Sequence, residues 1–202
     1  MKTESHLYGL VVGGGESQRM GKDKAFLTYY EKPQCFHLTD LLKNEPALCE
    51  QVFISCNEKQ QHLIPAAYQP LPDKTAYKSN GPIASLLTAF EKYPGNDFLI
   101  VGCDYPLLSI RELRSFLNTI RRESIAATFY NNENKYEPLI GWYSAQCAPL
   151  LMQFYREGNR SLQHFLRQNN AEKYVPEQLE TMKSADTPED YERILSILQK
   201  RF

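Results

Sequence analysis

The sequence predicts one α/β domain over its 202 residues, with helices on both faces of a mostly parallel central sheet in a three-layer α/β/α arrangement. Three observations carry that expectation. Short apolar runs recur without the polar alternation of a half-exposed strand, as strands buried on both faces do. Helix-period segments stand between them, and a strand–helix–strand rhythm favours parallel pairing through right-handed crossovers. The composition, 42% hydrophobic and 23% charged, is that of an ordinary globular chain long enough for a substantial core.

In chain order, Leu7–Val12 (LYGLVV), Gln51–Cys56 (QVFISC) and Phe98–Gly102 (FLIVG) read as buried strands. Helical patterns around Pro33–Lys43 and Ile83–Lys92 separate them. Ser109 with Glu112 three positions later is a capping-box pattern, opening a helix whose Leu113, Phe116, Leu117 and Ile120 form one stripe. Ile125–Phe129 and Pro138–Tyr143 read as strands, and Ala145–Tyr155 as a helix. Leu162, Phe165 and Leu166 mark another helix. Thr187 and Pro188 cap a last one, whose Tyr191, Ile194, Leu195 and Leu198 face one way. These stripes are core-packing signals, and they specify fold rather than chemistry.

Bulk properties exclude several function classes. A formal net charge of −1 gives no positive field to hold nucleic acid. No run approaches the 18 apolar residues of a membrane span, and the first residues read as the approach to a strand rather than a signal peptide. The five cysteines (Cys35, Cys49, Cys56, Cys103, Cys147) are odd in number and form no CxxC pair. Reduced thiols in a cytoplasmic protein are therefore expected.

The segment VVGGGESQRMGKDKAFL, Val11 to Leu27, carries the chemistry. It fails the dinucleotide fingerprint, because Gln18 stands at the third glycine. It also fails the P-loop pattern, where Glu16 stands at the first glycine and Asp23 at the hydroxyl. The physics of a phosphate loop remains. Gly13, Gly14 and Gly15 let backbone amides approach a ligand, the loop leaves a central strand at the crevice where α/β sheets bind, and Arg19 and Lys24 supply phosphate-matching cations. In FLIVGCDYPLL, Asp104 lies just past another buried strand, where a magnesium-binding carboxylate belongs.

VGGGESQRMGKDKAFL resembles the LAGGxSxRMGxDKxLL signature of the molybdenum cofactor guanylyltransferases, MobA-like nucleotidyltransferases of glycosyltransferase-A-like, Rossmann-like fold. Val12, Gly13, Gly14 and Gly15 stand at Leu-Ala-Gly-Gly, and Ser17, Arg19, Met20, Gly21, Asp23 and Lys24 match in place. GCDYPLL resembles PCDxPxL, and NGPIASL resembles GPLAGI, with Ser85 at the second glycine. EPLIGWYS, GNRSLQHFL and SADTPEDY are similar to HPLFALY, GxRRxxxFL and NINTPEDL, with Glu137 for histidine and Ser184 and Asp186 for two asparagines. The strongest motifs lie within residues 1–108.

The resemblance implies a cytoplasmic enzyme that transfers GMP from GTP to the terminal phosphate of molybdopterin. Residues 1–108 of the single domain 1–202 form the nucleotide- and Mg²⁺-binding half, and residues 109–202 the acceptor half. It implies catalytic roles for Arg19, Lys24 and Asp104, with Asp104 the Mg²⁺ ligand. Val12, Gly13, Gly14, Gly15, Ser17, Asp73 and Gly81 would hold the nucleotide, and Arg160 the acceptor phosphate. Gly102 in place of the motif's proline is expected to leave the chemistry unchanged. Molybdoenzymes or cofactor-delivery proteins are the expected partners, with neither nucleic acid nor membrane. A cytidylyl- or sugar-1-phosphate nucleotidyltransferase and a nucleotide-binding adaptor without turnover are the alternative readings.

Overall fold

The computed structural model describes residues 6–13, 23–44, 47–78 and 80–200. The three continuous apolar runs form β1 (Leu7–Val12), β2 (Gln51–Cys56) and, further on, the strand Asp97–Gly102. Between them lie helices α1 (Gln34–Lys43), α2 (Glu58–Gln61) and α3 (Pro82–Lys92), and a short strand β3 (Pro70–Pro72). Asp97–Gly102 is therefore β4. Then follow α4 (Ile110–Thr119), β5 (Ala126–Tyr130), β6 (Tyr136–Tyr143), α5 (Cys147–Arg156), α6 (Leu162–Gln168), β7 (Glu172–Tyr174) and α7 (Pro188–Gln199).

One sheet joins the strands in the order β3-β2-β1-β4-β6-β5-β7. β1 pairs in parallel with β2 and β4, β2 with β3, and β5 with β7. β6 runs antiparallel to both its neighbours, so the sheet is mostly parallel, as expected. Successive residues of β1 feed different cores. Leu10 and Val12 pack in the cluster that contains α3, α5 and α6, whereas Val11 packs with α1 and α4. That period-two split is why both faces of the strand had to be apolar. A third cluster seats α7, through Ile194 and Leu198, against Leu27, Tyr29, Leu107 and Ala185.

β3 and β7 and the one-turn α2 were not foreseen. β3 is Pro-Leu-Pro at the sheet edge, where prolines cost no ladder bond on the outer side. β7 is Glu-Lys-Tyr at the opposite edge, with no apolar pattern to announce it. The strand expected at Ile125–Phe129 begins at Ala126, and the helix expected from Ala145 begins at Cys147. All five cysteines are free and buried. Among the described residues no helix is long and apolar enough to cross a membrane.

The topology fixes where a site can form. The chain builds outward from β1 through β2 to β3, then returns to place β4 on the other side of β1. That reversal opens a crevice beyond the C-terminal ends of β1 and β4. Gly13 leaves β1 into it and Asp104 follows β4 into it, with Cys103 N–H still donating to the Val12 carbonyl at 2.9 Å.

Candidate active site

The phosphate-loop candidate is visible at its two ends. Gly14, Gly15, Ser17 and Arg19 lie outside the described residues. At the start, Val12 is buried, and a Cβ on Gly13 would stand 3.0 Å from Ala25 Cβ. A side chain here would need the returning limb to give by a few tenths of an ångström. At the far end Asp23 caps the turn Lys24–Phe26. One carboxylate oxygen accepts from Ala25 N–H at 3.0 Å, and the other from the Gln60 side-chain amide at 2.6 Å. Gln60 is itself locked in a reciprocal capping box with Asn57 at the start of α2. Asp23, read from sequence only as a motif position, is thus the peg that aims Lys24.

Lys24 Nζ lies 2.5 Å from Asp186 Oδ1, across 162 residues of chain. Ser184 Oγ donates to the other oxygen of Asp186 at 2.6 Å. Between them Ala185, fully buried, donates its N–H to the Asp104 carbonyl at 3.0 Å. The segment 184–186 is held there by α7, whose N-terminus carries a Thr187–Asp190 capping box with Pro188 in its first turn. The lead-in to the last helix therefore lies against both the lysine and the strand-end aspartate.

Asp104 is a charge held at some cost. Burial raises its carboxyl to about 6, the Lys24 ammonium pulls it back down, and Asp186 and Glu137 add to the rise. Glu137 is fixed in turn, accepting from Tyr105 Oη and from Asn131 Nδ2, each at 2.7 Å. Tyr105 follows Asp104 directly, and Glu137 is the second residue of β6, so Tyr105, Glu137 and Asn131 together clamp the turn that carries Asp104. Tyr29 lies nearby, buried, with no hydrogen-bond partner for its hydroxyl among the described residues. Burial raises its pKa, with Tyr191 and Asp104 adding to the effect.

The remaining candidates lie along the same sheet edge towards β3. Gly81 caps α3 at φ 66°, a left-handed conformation that favours glycine, ahead of Pro82. Ser55 Oγ lies 3.2 Å from Asp73 Oδ1 and 2.7 Å from Ser85 Oγ, closing a knot between β2, the end of β3 and α3. Arg160 reaches this region rather than Asp104. Its Nε donates to Asn80 Oδ1 at 2.8 Å, its Nη1 to the carbonyls of Tyr155 and Asn159 at 2.7 Å, and its guanidinium stacks 3.8 Å from the Tyr155 ring. The structure thus gathers Lys24, Asp104 and Asp186 at the β1–β4 crevice, and Asp73, Gly81 and Arg160 around α3. Sequence reasoning assigned no role to Asp23, Gln60, Tyr105, Asp186 or Glu137. The departures at Glu137 and Asp186 were the available signal.

A phosphate-loop start after β1 and a clamped carboxylate after β4 agree with one family model, MobA-like NTP transferase domain, which matches residues 9–173. The chain belongs to this family. MobA-like proteins of known sequence align over nearly all of it. A molybdenum cofactor biosynthesis bifunctional protein of Synechocystis is 32% identical over 95% of this chain, which spans 54% of that protein. A probable molybdenum cofactor guanylyltransferase of Trichormus variabilis is 28% identical over 98% of this chain and 93% of its own length. Among MobA-like structures, molybdopterin-guanine dinucleotide biosynthesis protein A of Archaeoglobus fulgidus superposes with a TM-score of 0.76 over 96% of this chain and 99% of its own, at 20% identity. The chain is a nucleotidyltransferase with the glycosyltransferase-A-like fold expected from sequence.

Proposed function

We propose that this nucleotidyltransferase transfers GMP from GTP to the terminal phosphate of molybdopterin. The observation that supports it best is the meeting of Lys24 with the Asp104 turn at the β1–β4 crevice, at the mouth of the glycine loop. An acceptor phosphate oxygen attacks the α-phosphorus, the bond from that phosphorus to the α–β bridging oxygen breaks, and pyrophosphate leaves with the electron pair. The nucleophile is already an anion, so the residues have little proton transfer to do. Their work is positioning and charge neutralisation.

Lys24, aimed by Asp23, exchanges Asp186 for the triphosphate and offsets charge on the departing pyrophosphate. Arg19 shares that task, and Val12, the Gly13–Gly15 amides and Ser17 seat the nucleotide. Asp73 and Gly81 border its sugar and base, and Arg160, stacked on Tyr155, meets the acceptor phosphate. The donor set fits a hard divalent ion such as Mg²⁺: Asp104 offers one carboxylate, and among the described residues no cluster of three or more acidic, His or Cys groups forms an all-protein cage. Magnesium prefers that economy of protein ligands and takes the rest from phosphates and water. When bound, it supplies Lewis-acid neutralisation of the phosphates.

Residues 1–108 form the nucleotide half in this proposal and residues 109–202 the acceptor half, with segment 184–186 returning to the first. Proteins that deliver the cofactor or receive it are the fitting partners, in the cytoplasm. The test is pyrophosphate release with each of the four nucleoside triphosphates, with Mg²⁺ and molybdopterin present. Release with GTP alone supports the proposal. Release with CTP, or only with a sugar phosphate as acceptor, overturns it in favour of another transferase specificity. GTP binding without release overturns turnover itself.

A further inference from the structure

Asn80 stands half-buried just before α3, and its side chain joins two distant parts of the chain. Its Oδ1 accepts from Arg160 Nε at 2.8 Å. Its Nδ2 shares two hydrogens among the Tyr77 carbonyl at 2.9 Å, the Lys78 carbonyl at 3.1 Å and Tyr155 Oη at 3.1 Å. An amide suits these surroundings: a carboxylate would face two carbonyl oxygens, and an amide turned over would set its N–H against the guanidinium. The Asn80 N–H also donates to the Tyr77 carbonyl at 3.2 Å, and the next residue is Gly81, whose φ of 66° opens α3. The side chain is thus fixed in the nucleotide half of the chain and reaches across 80 residues into the other half.

Arg160 is exposed, and among the described residues no carboxylate forms an ion pair with it. Nη1 is taken by the Tyr155 and Asn159 carbonyls, and Nε by Asn80. These acceptors are neutral, so the guanidinium keeps its full charge, and among the described residues Nη2 donates to none of them. The two carbonyls belong to Arg160's own stretch of chain, so Asn80 is what ties the guanidinium to the loop beside Gly81. Tyr155, on which Arg160 stacks, is held to that loop as well. Its Oη donates to the Ala76 carbonyl at 3.1 Å, and its ring meets Tyr77 edge-on at 5.2 Å. We infer that Asn80 is a positioning residue for the acceptor: from the loop beside Gly81 it fixes the direction in which Arg160 presents Nη2, and so sets the acceptor phosphate's place relative to the nucleotide. This rests on the proposed acceptor role of Arg160.

The test is a double-mutant cycle on the full chain: Asn80→Ala, Arg160→Ala and the pair. It is read by pyrophosphate release as molybdopterin is varied at saturating GTP and Mg²⁺, with GTP affinity measured by calorimetry. Asn80→Ala is expected to lower kcat/KM for molybdopterin about tenfold, the scale of one hydrogen bond to a charged group, and to leave GTP affinity at its wild-type value. In the Arg160→Ala background the same change is expected to add little, because residues that act through one contact are not additive. Wild-type kinetics in Asn80→Ala, an equal fall in GTP affinity, or an undiminished loss in the Arg160→Ala background overturns the inference. Asn80→Asp serves if Asn80→Ala folds poorly. Its carboxylate still accepts from Nε but offsets the charge offered to the acceptor, so the molybdopterin defect is expected to remain, and wild-type kinetics there overturns the inference too. Arg160→Ala separates the two levels. If it keeps wild-type kcat/KM for molybdopterin, the acceptor role of Arg160 falls, and that of Asn80 with it. If it loses kcat/KM while Asn80→Ala does not, only the positioning role fails.

Discussion

Asp73 and Asp104 leave the same edge of one sheet, after β3 and β4, and burial pushes both carboxyls above their ordinary value of 3.8. Their surroundings then diverge. Asp73 is pulled back by the hydroxyls of Ser55 and Ser85, its own N–H is held by the Cys56 carbonyl at 3.0 Å, and the next residue's N–H is held by Thr88 Oγ1. Asp104 has its backbone pinned, but among the described residues no other residue donates a hydrogen bond to its carboxylate. It faces the Lys24 ammonium instead. One carboxylate is satisfied by the scaffold and contributes to it; the other is left to be satisfied by something brought in. Stability and chemistry should therefore respond oppositely at the two positions.

The largest effect tests that contrast directly. Asp104→Asn is expected to lower turnover by ~10³-fold or more, while the melting midpoint of the ligand-free protein stays level or rises, because a carboxylate whose charged form burial disfavours has been removed. A parallel fall of activity and melting midpoint would place Asp104 with Asp73 as scaffold. Lys24→Ala follows, with an expected loss of ~10²–10³ in kcat/KM by steady-state pyrophosphate release. Its stability cost should stay below about 1 kcal/mol, since its partner Asp186 is half exposed and such pairs contribute little. Asp186→Asn comes next. It removes the anion that the triphosphate must displace, so GTP should bind several-fold more tightly by calorimetry, and the gain should shrink at high salt. Weaker GTP binding instead would show Asp186 helping to hold the substrate rather than guarding the lysine.

The contrast also marks what a sequence can disclose. β1, β2 and β4 were legible because burial on both faces forces an unbroken apolar run, and α7 because its cap and stripe are local. β3 and β7 were not, because their place at the sheet edges leaves Pro-Leu-Pro and Glu-Lys-Tyr without a periodic constraint. Lys24 and Asp104 stood out as charged residues beside a glycine loop and past a buried strand. The groups that hold them did not. Asp23 meets Gln60 across 37 residues, and Tyr105 meets Glu137 across 32. Such pairs exist only once the sheet has assembled.

The smallest expected effect lies at the satisfied carboxylate. Ser85→Ala should cost about 1 kcal/mol, the usual worth of one buried hydrogen bond, and should drive the Asp73 carboxyl further up, since a hydroxyl that favours its charged form is gone. The sign for stability follows from linkage. A carboxyl whose folded pKa exceeds its unfolded value contributes stability fully below the unfolded value, and that contribution is lost as pH rises through the folded one. Urea unfolding from the ordinary aspartate range upward should therefore show Ser85→Ala falling progressively below wild type as pH rises. The slope should vanish in Ser85→Ala/Asp73→Asn, which has no carboxyl left to ionise there. If the slope survived in the double variant, the serine would be acting on some other group, and Asp73 would lose its standing as the scaffold counterpart of Asp104.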